Sequence, residues 1–187
     1  MSNLALYNSI KDQMQTGDCL LWSSQSVVGW LIRKFSKADV NHAGLVIRPH
    51  NLGHFKDRRF TLEALEKGII LRLLSERLRH YKGKVYLYPL KDEYDDKRDA
   101  IAKWAIKQEG TPYDYKSLFK QAFARVFVDL KELFCSEICY AGYWTVEIIK
   151  HHGKLLSEMI APTPGEMPDL GIFKDPVLIY DSQTDKR

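Results

Sequence analysis

The sequence predicts an α+β protein with a mainly antiparallel sheet, and three observations carry that prediction. Short apolar segments of strand character recur between residues 20 and 90. A charge-rich helix follows at residues 95–109, and a second helix, apolar on every side, begins at Cys135. Strands, helix, buried helix and a last strand, in that order, form the α+β pattern. With 187 residues the chain suits one domain, 1–187, large enough to bury a core without disulfide or metal staples.

Leu20-Leu21-Trp22 follows the turn-prone Thr16-Gly17-Asp18 and reads as a short buried strand. Residues 27–35 are apolar at helical spacing and are expected to form a short helix. Residues 42–47 read as a strand whose alternation sets Ala43, Leu45 and Ile47 on one face and His42, Gly44 and Val46 on the other. A polar, loop-like stretch spans 49–59. Strands at 60–65 and 69–73 follow, joined by a turn at Glu66-Lys67-Gly68.

Residues 77–84 carry no decisive pattern, and 85–90 are strand-like. The helix over 95–109 has acidic residues in its first turn and Ile101, Trp104, Ala105 and Gln108 on one stripe; Gly110 and Pro112 stop it. Another helix is expected within 117–133. From Ile138 to Val146 the chain carries no charge, as a helix buried all round does. A Pro/Gly-rich loop at 161–169 leads to a final strand at 177–180.

Composition narrows the class. The chain is 45% hydrophobic, 12% aromatic and 28% charged, an ordinary globular balance. Residues 1–14 carry no basic segment followed by an apolar run, so no signal peptide is expected, and no apolar run reaches the roughly 18 residues that span a bilayer. Three cysteines, two of them four residues apart, do not suggest a disulfide framework, so a cytoplasmic protein is expected. The net charge of +4 is partly local. Arg72, Arg77, Arg79, Lys82 and Lys84 form a basic run that would suit an anionic surface, or simply a solvated face. It shows no recognisable nucleic-acid-reading motif, so nucleic acid is not an expected partner.

Cys135 opens the apolar helix in this reading, where unpaired N–H groups and the helix dipole favour a thiolate. Its own amide would then face a developing oxyanion. A free cysteine is also commonly an inert core residue. Cys139, one turn on, and Cys19, in the first strand, are expected in the core. His42, flanked by Ala43 and Gly44, is the candidate base; the small neighbours would leave room for a substrate above the ring. Glu63 is the lone polar residue between Leu62 and Ala64. Facing inward it would need a partner such as His42; facing outward it would be an edge residue. His50, His54, His80, His151 and His152 are poorer candidates, and no metal or cofactor is expected.

Taken in order, Thr16-Gly17-Asp18-Cys19-Leu20-Leu21, Asn41-His42-Ala43-Gly44-Leu45-Val46-Ile47, Leu62-Glu63-Ala64 with Gly68, and Phe134-Cys135-Ser136-Glu137 resemble a known group. It is the YiiX-like, circularly permuted NlpC-type branch of the papain-like cysteine hydrolases. The resemblance implies a permuted papain-like fold, an antiparallel sheet packed against a buried helix that carries the nucleophile. It also implies Cys135 as nucleophile, His42 as base and Glu63 as the group that orients it. Gly110-Thr111-Pro112-Tyr113 resembles the family's G-x-P-Y, which makes Tyr113 a candidate oxyanion donor.

The implied activity is hydrolysis of an amide, by a peptidase or amidase, through an acyl-enzyme. Residues 116–133, long, hydrophobic and basic, read as a lid or pocket wall. They keep a lipid acyl hydrolase or acyltransferase open as an alternative. A non-catalytic peptide or lipid binder on the same fold is the other.

Overall fold

The computed structural model describes residues 4–24, 39–49, 53–55, 57–65, 68–111, 130–150 and 161–185, with backbone alone at His54 and at 130–134. The expected helix at 27–35 and residues 117–129 of the one expected within 117–133 lie outside the described residues, as do His50, Tyr113, His151 and His152.

Among the described residues the chain runs through α1 (Ala5–Ile10), β1 (Cys19–Ser24), β2 (His42–Ile47), a 3-10 turn (Gly53–Phe55), β3 (Phe60–Leu65) and β4 (Gly68–Leu73). It continues with α2 (Leu74–Arg79), β5 (Gly83–Tyr88), a 3-10 segment (Asp92–Lys97), α3 (Arg98–Gln108), α4 (Leu130–Thr145), a 3-10 turn (Met167–Leu170) and β6 (Val177–Asp181). The strands form one sheet in the order β4-β3-β2-β1-β5-β6. Every pairing is antiparallel. Neighbours in sequence are mostly neighbours in space, although only β3 and β4 follow each other closely in the chain, Leu65 and Gly68 bounding the gap.

Period-2 alternation divides the buried side chains between two layers. One holds Cys19, Leu21, Ala43, Leu45, Ile47, Leu62 and Ala64 against α3 and α4. The other holds Leu20, Trp22, Val46, Val85 and Leu87 against α1, α2 and the end of β6. α4 supplies Ile138, Cys139, Tyr143 and Val146 to the first layer. Each apolar side chain fully buried in this way stabilises the fold by roughly 1.5–3 kcal/mol.

The approach to β1 is fixed by a tight turn. Gly17 adopts φ +93°, where a side chain is strained, and a Cβ there would lie 2.9 Å from Ile101 Cδ1. The Tyr143 hydroxyl donates to the Gly17 carbonyl at 2.8 Å, tying α4 to this turn. Asp18 accepts from the Gln15 N–H at 2.8 Å, the Leu90 N–H at 3.0 Å and the Arg98 guanidinium at 3.0 Å. One carboxylate thereby pins the turn, the segment after β5 and the first residue of α3.

Two expectations are corrected. The helix read over 95–109 is a 3-10 segment, Asp92–Lys97, passing into α3. The buried helix does not begin at Cys135: α4 runs Leu130–Thr145, so the cysteine lies in its second turn. Residues 130–133 are Leu-Lys-Glu-Leu, all good helix formers, and nothing before Cys135 interrupts the helix.

Candidate active site

β2 and β3 pair from Leu45↔Leu62 to Ile47↔Phe60, and the recorded ladder ends before His42. His42 and Glu63 therefore stand where these two strands cease to share hydrogen bonds. The parity of the strands puts both side chains on the same face, with Gly44 between. A Cβ on Gly44 would lie 2.6 Å from Thr61 Oγ1 and 3.1 Å from Glu63 Cγ. The missing side chain gives the Glu63 stem its passage toward the imidazole. The space expected above the ring is thus occupied on this side by a carboxylate.

His42 Nε2 meets Glu63 Oε2 at 2.7 Å, a charge-assisted bond in which the ring nitrogen donates. With Nε2 committed, Nδ1 is the nitrogen left for the Cys135 sulfur, which shares a side-chain hydrogen bond with the ring. Burial opposes a charge on His42, yet the Cys135 sulfur and the Glu63 carboxylate outweigh it and push the imidazole up to about 10. The His42 side chain is 18% exposed and that of Glu63 fully buried, so solvent reaches the ring but not the carboxylate it bonds.

Burial alone would drive Glu63 to take up a proton. The bond from His42 and the nearby Arg77 charge reverse that and hold its carboxyl below the usual carboxylate range. Arg77 Nε lies 3.2 Å from Oε1 and 3.3 Å from Oε2.

All three cysteines are buried, Cys19 and Cys139 as expected and Cys135 beside the His42 ring. Burial, together with a bond to Cys19, pushes the Cys139 thiol well above its ordinary range, which leaves it protonated and unreactive. Ser136, beside the candidate nucleophile, donates from Oγ to the Pro162 carbonyl at 2.6 Å and anchors α4 to the Pro/Gly-rich loop. An amide in the second turn of a helix bonds to the carbonyl four residues back. The expectation that the Cys135 N–H faces an oxyanion therefore falls.

The site spans both layers of the core. Cys135 belongs to the layer under α4, and Arg77 rides on α2, whose Leu74 and Leu78 belong to the other. Sequence reasoning read Arg77 as part of a solvated basic run. The signal that separates it is the Leu74–Leu78 pair one helical turn apart, which puts a six-residue helix across that run. Arg79 instead pairs with Glu76 at the surface, and Lys84 lies 3.7 Å from Asp181.

Comparison with known proteins sets this geometry in a family. Residues 13–171 match the model described as permuted papain-like amidase enzyme, YaeF/YiiX, C92 family. The chain belongs to that family. The solved structure of the metalloprotein YiiX from Escherichia coli O157:H7 is similar in fold, with TM-score 0.57 and 16% identity over 91% of this chain and 98% of that one. No curated protein matches. The chain thus has the circularly permuted papain-like α+β fold of that family, with the strands that carry His42 and Glu63 preceding the helix that carries Cys135. Among the described residues no group of three or more His, Cys, Asp or Glu is placed to hold a metal ion. No described helix is long and apolar enough to cross a membrane.

Proposed function

We propose that this C92-family protein is a cysteine amidase or peptidase that works through an acyl-enzyme, with Cys135 as nucleophile, His42 as acid and base and Glu63 as the orienting carboxylate. The observation that carries the reading is the chain of contacts from Glu63 through His42 to Cys135. These are the three roles of a nucleophilic triad, recognised by geometry rather than by order in the chain.

In the first half-reaction the thiolate of Cys135 attacks the amide carbonyl carbon and His42 holds the proton at Nδ1. As the tetrahedral species collapses, that proton passes to the leaving nitrogen and the C–N bond breaks. In the second, His42 takes a proton from water. The resulting hydroxide attacks the thioester, and the acid product leaves with the thiolate restored. Glu63 keeps its bond to Nε2 throughout, fixing the tautomer and stabilising the cation. Tyr113, which resembles the family's G-x-P-Y tyrosine, is the proposed oxyanion donor.

Iodoacetamide at neutral pH tests the nucleophile without knowledge of the substrate. Peptide mass spectrometry should find Cys135 alkylated much faster than Cys19 or Cys139; three equally slow cysteines would remove the reading. In turnover, Cys135→Ala should lower release from a panel of peptide anilides by at least about 1,000-fold. Cys139→Ala should leave it largely unchanged.

A further inference from the structure

We propose that Arg77 is a positioning residue for the active site, acting through Glu63 to hold the imidazole of His42 in the orientation that serves Cys135. This inference rests on the triad reading and adds to it a fourth member on a different element.

The case begins with how Arg77 is held. α2 is anchored by Leu74 and Leu78, both fully buried, and by the Leu74 N–H, which donates to the Arg59 carbonyl at 2.8 Å. Arg77 projects from this short helix onto two aromatic rings. Its guanidinium carbon lies 4.7 Å from the ring centroid of Trp22 and 5.2 Å from that of Tyr81. The two rings pack edge to face at 4.9 Å. A planar cation over aromatic faces is attracted by their quadrupoles and also loses rotational freedom. What remains is a fixed Nε–H aimed at a fixed carboxylate.

The geometry of the carboxylate gives this a purpose. Oε2 receives His42, and Arg77 Nε sits almost equally between both oxygens. The plane of the Glu63 carboxylate is therefore set from two sides, by β2 and by α2. The groups that face Glu63 are His42 from β2, Arg77 from α2 and, at longer range, Cys139 from α4. Of these only Arg77 is a permanent cation. With the arginine gone, the ionisation of Glu63 depends on His42 alone, and protonating Glu63 abolishes the acceptor that fixes the imidazole tautomer. Arg77 touches no reacting atom in this arrangement; a displaced imidazole is how its loss would reach the chemistry. Misplacement of a reacting group on the scale of 1 Å costs about 100-fold in rate.

The test measures the rate of Cys135 alkylation by iodoacetamide across pH in the unaltered protein, in Arg77→Met, in Arg77→Lys and in Arg79→Met, each checked for folding by circular dichroism. Arg77→Met should slow alkylation at neutral pH by about 10-fold to 100-fold. It should also move the acidic limb of the profile upward by about one pH unit or more, since a carboxylate loses its neighbouring cation. Arg77→Lys keeps the charge without the planar fork and should recover the limb more than the rate. Arg79→Met, on the same helix but paired at the surface, should match the unaltered protein.

A folded Arg77→Met with unchanged rate and limb would overturn the proposal. If Arg77→Met does not fold, a folded Arg77→Lys carries the decision: full reactivity with an unshifted limb overturns it, and a slowed rate supports it. Slow labelling of Cys135 in the unaltered protein is a different result, for it removes the triad reading and this inference with it.

Discussion

At the scale of single residues the site is an electrostatic relay whose pH response has a definite sign. The folded state holds His42 at about 10 against 6.5 for a free imidazole. A raised value means the stability it contributes is fully present below pH 6.5 and is lost as pH rises toward 10, because only the folded chain retains the proton there. Amide hydrolysis should follow the same group, falling on the alkaline side near pH 10 as the imidazolium that protonates the leaving nitrogen disappears. Glu63→Gln removes one of the two charges that raise His42. The alkaline limb of kcat/KM should move down by about one unit or more, and the stability difference between pH 7 and pH 10 should shrink. Titrated turnover and thermal melts at both pH values check the two halves. Gly44→Ala forces a methyl against Thr61 and the Glu63 stem. It should destabilise by about 1–3 kcal/mol, read in urea, with a loss of Cys135 reactivity that exceeds the loss of stability.

At the scale of elements, α4 carries the proposed nucleophile, and its seat on the sheet is set by a close contact. A Cβ on Gly142 would lie 3.1 Å from Trp104 of α3 and 3.8 Å from Leu45 of β2. Gly142→Val should therefore press α4 away from both and cost about 1–3 kcal/mol of unfolding free energy, measurable as a lowered denaturation midpoint. The elements also differ in how readily the sequence betrays them. β2 and β3 were legible to the residue because β3 alternates apolar with polar residues and β2 is a short, largely apolar run. α2 was not, since two leucines a turn apart among basic residues are too few to define a period. α1 escaped for the same reason, with Tyr7 its one buried side chain. The start of α4 was misjudged because the apolar run begins later than the helix does. That error mattered, as it put the Cys135 amide at a helix end where its N–H would have been available to an oxyanion.

At the scale of the whole molecule, distant segments are locked by few buried polar groups, and Asp18 is the chief of them. Its side chain is 2% exposed and bonds Arg98, which is 11% exposed, across 80 positions of the chain. Asp18→Ala would orphan the Gln15 and Leu90 N–H groups and leave the guanidinium with less to oppose its burial. The expected loss is about 3–5 kcal/mol, seen as a lowered melting temperature. His42, Glu63 and Cys135, the proposed triad, were singled out because short motifs in a fixed order resembled a family. Arg77 was invisible to that reasoning. Its role depends on where α2 lands relative to β3, a long-range fact that no local pattern encodes.

The indole of Trp22 is buried with its ring centroid 6.3 Å from that of His42 and 4.7 Å from the Arg77 guanidinium. Protonated imidazole quenches indole emission more strongly than the neutral ring, so the wall of the site contains its own chromophore. The difference in fluorescence between the unaltered protein and Trp22→Phe should brighten as alkali strips the proton from the ring.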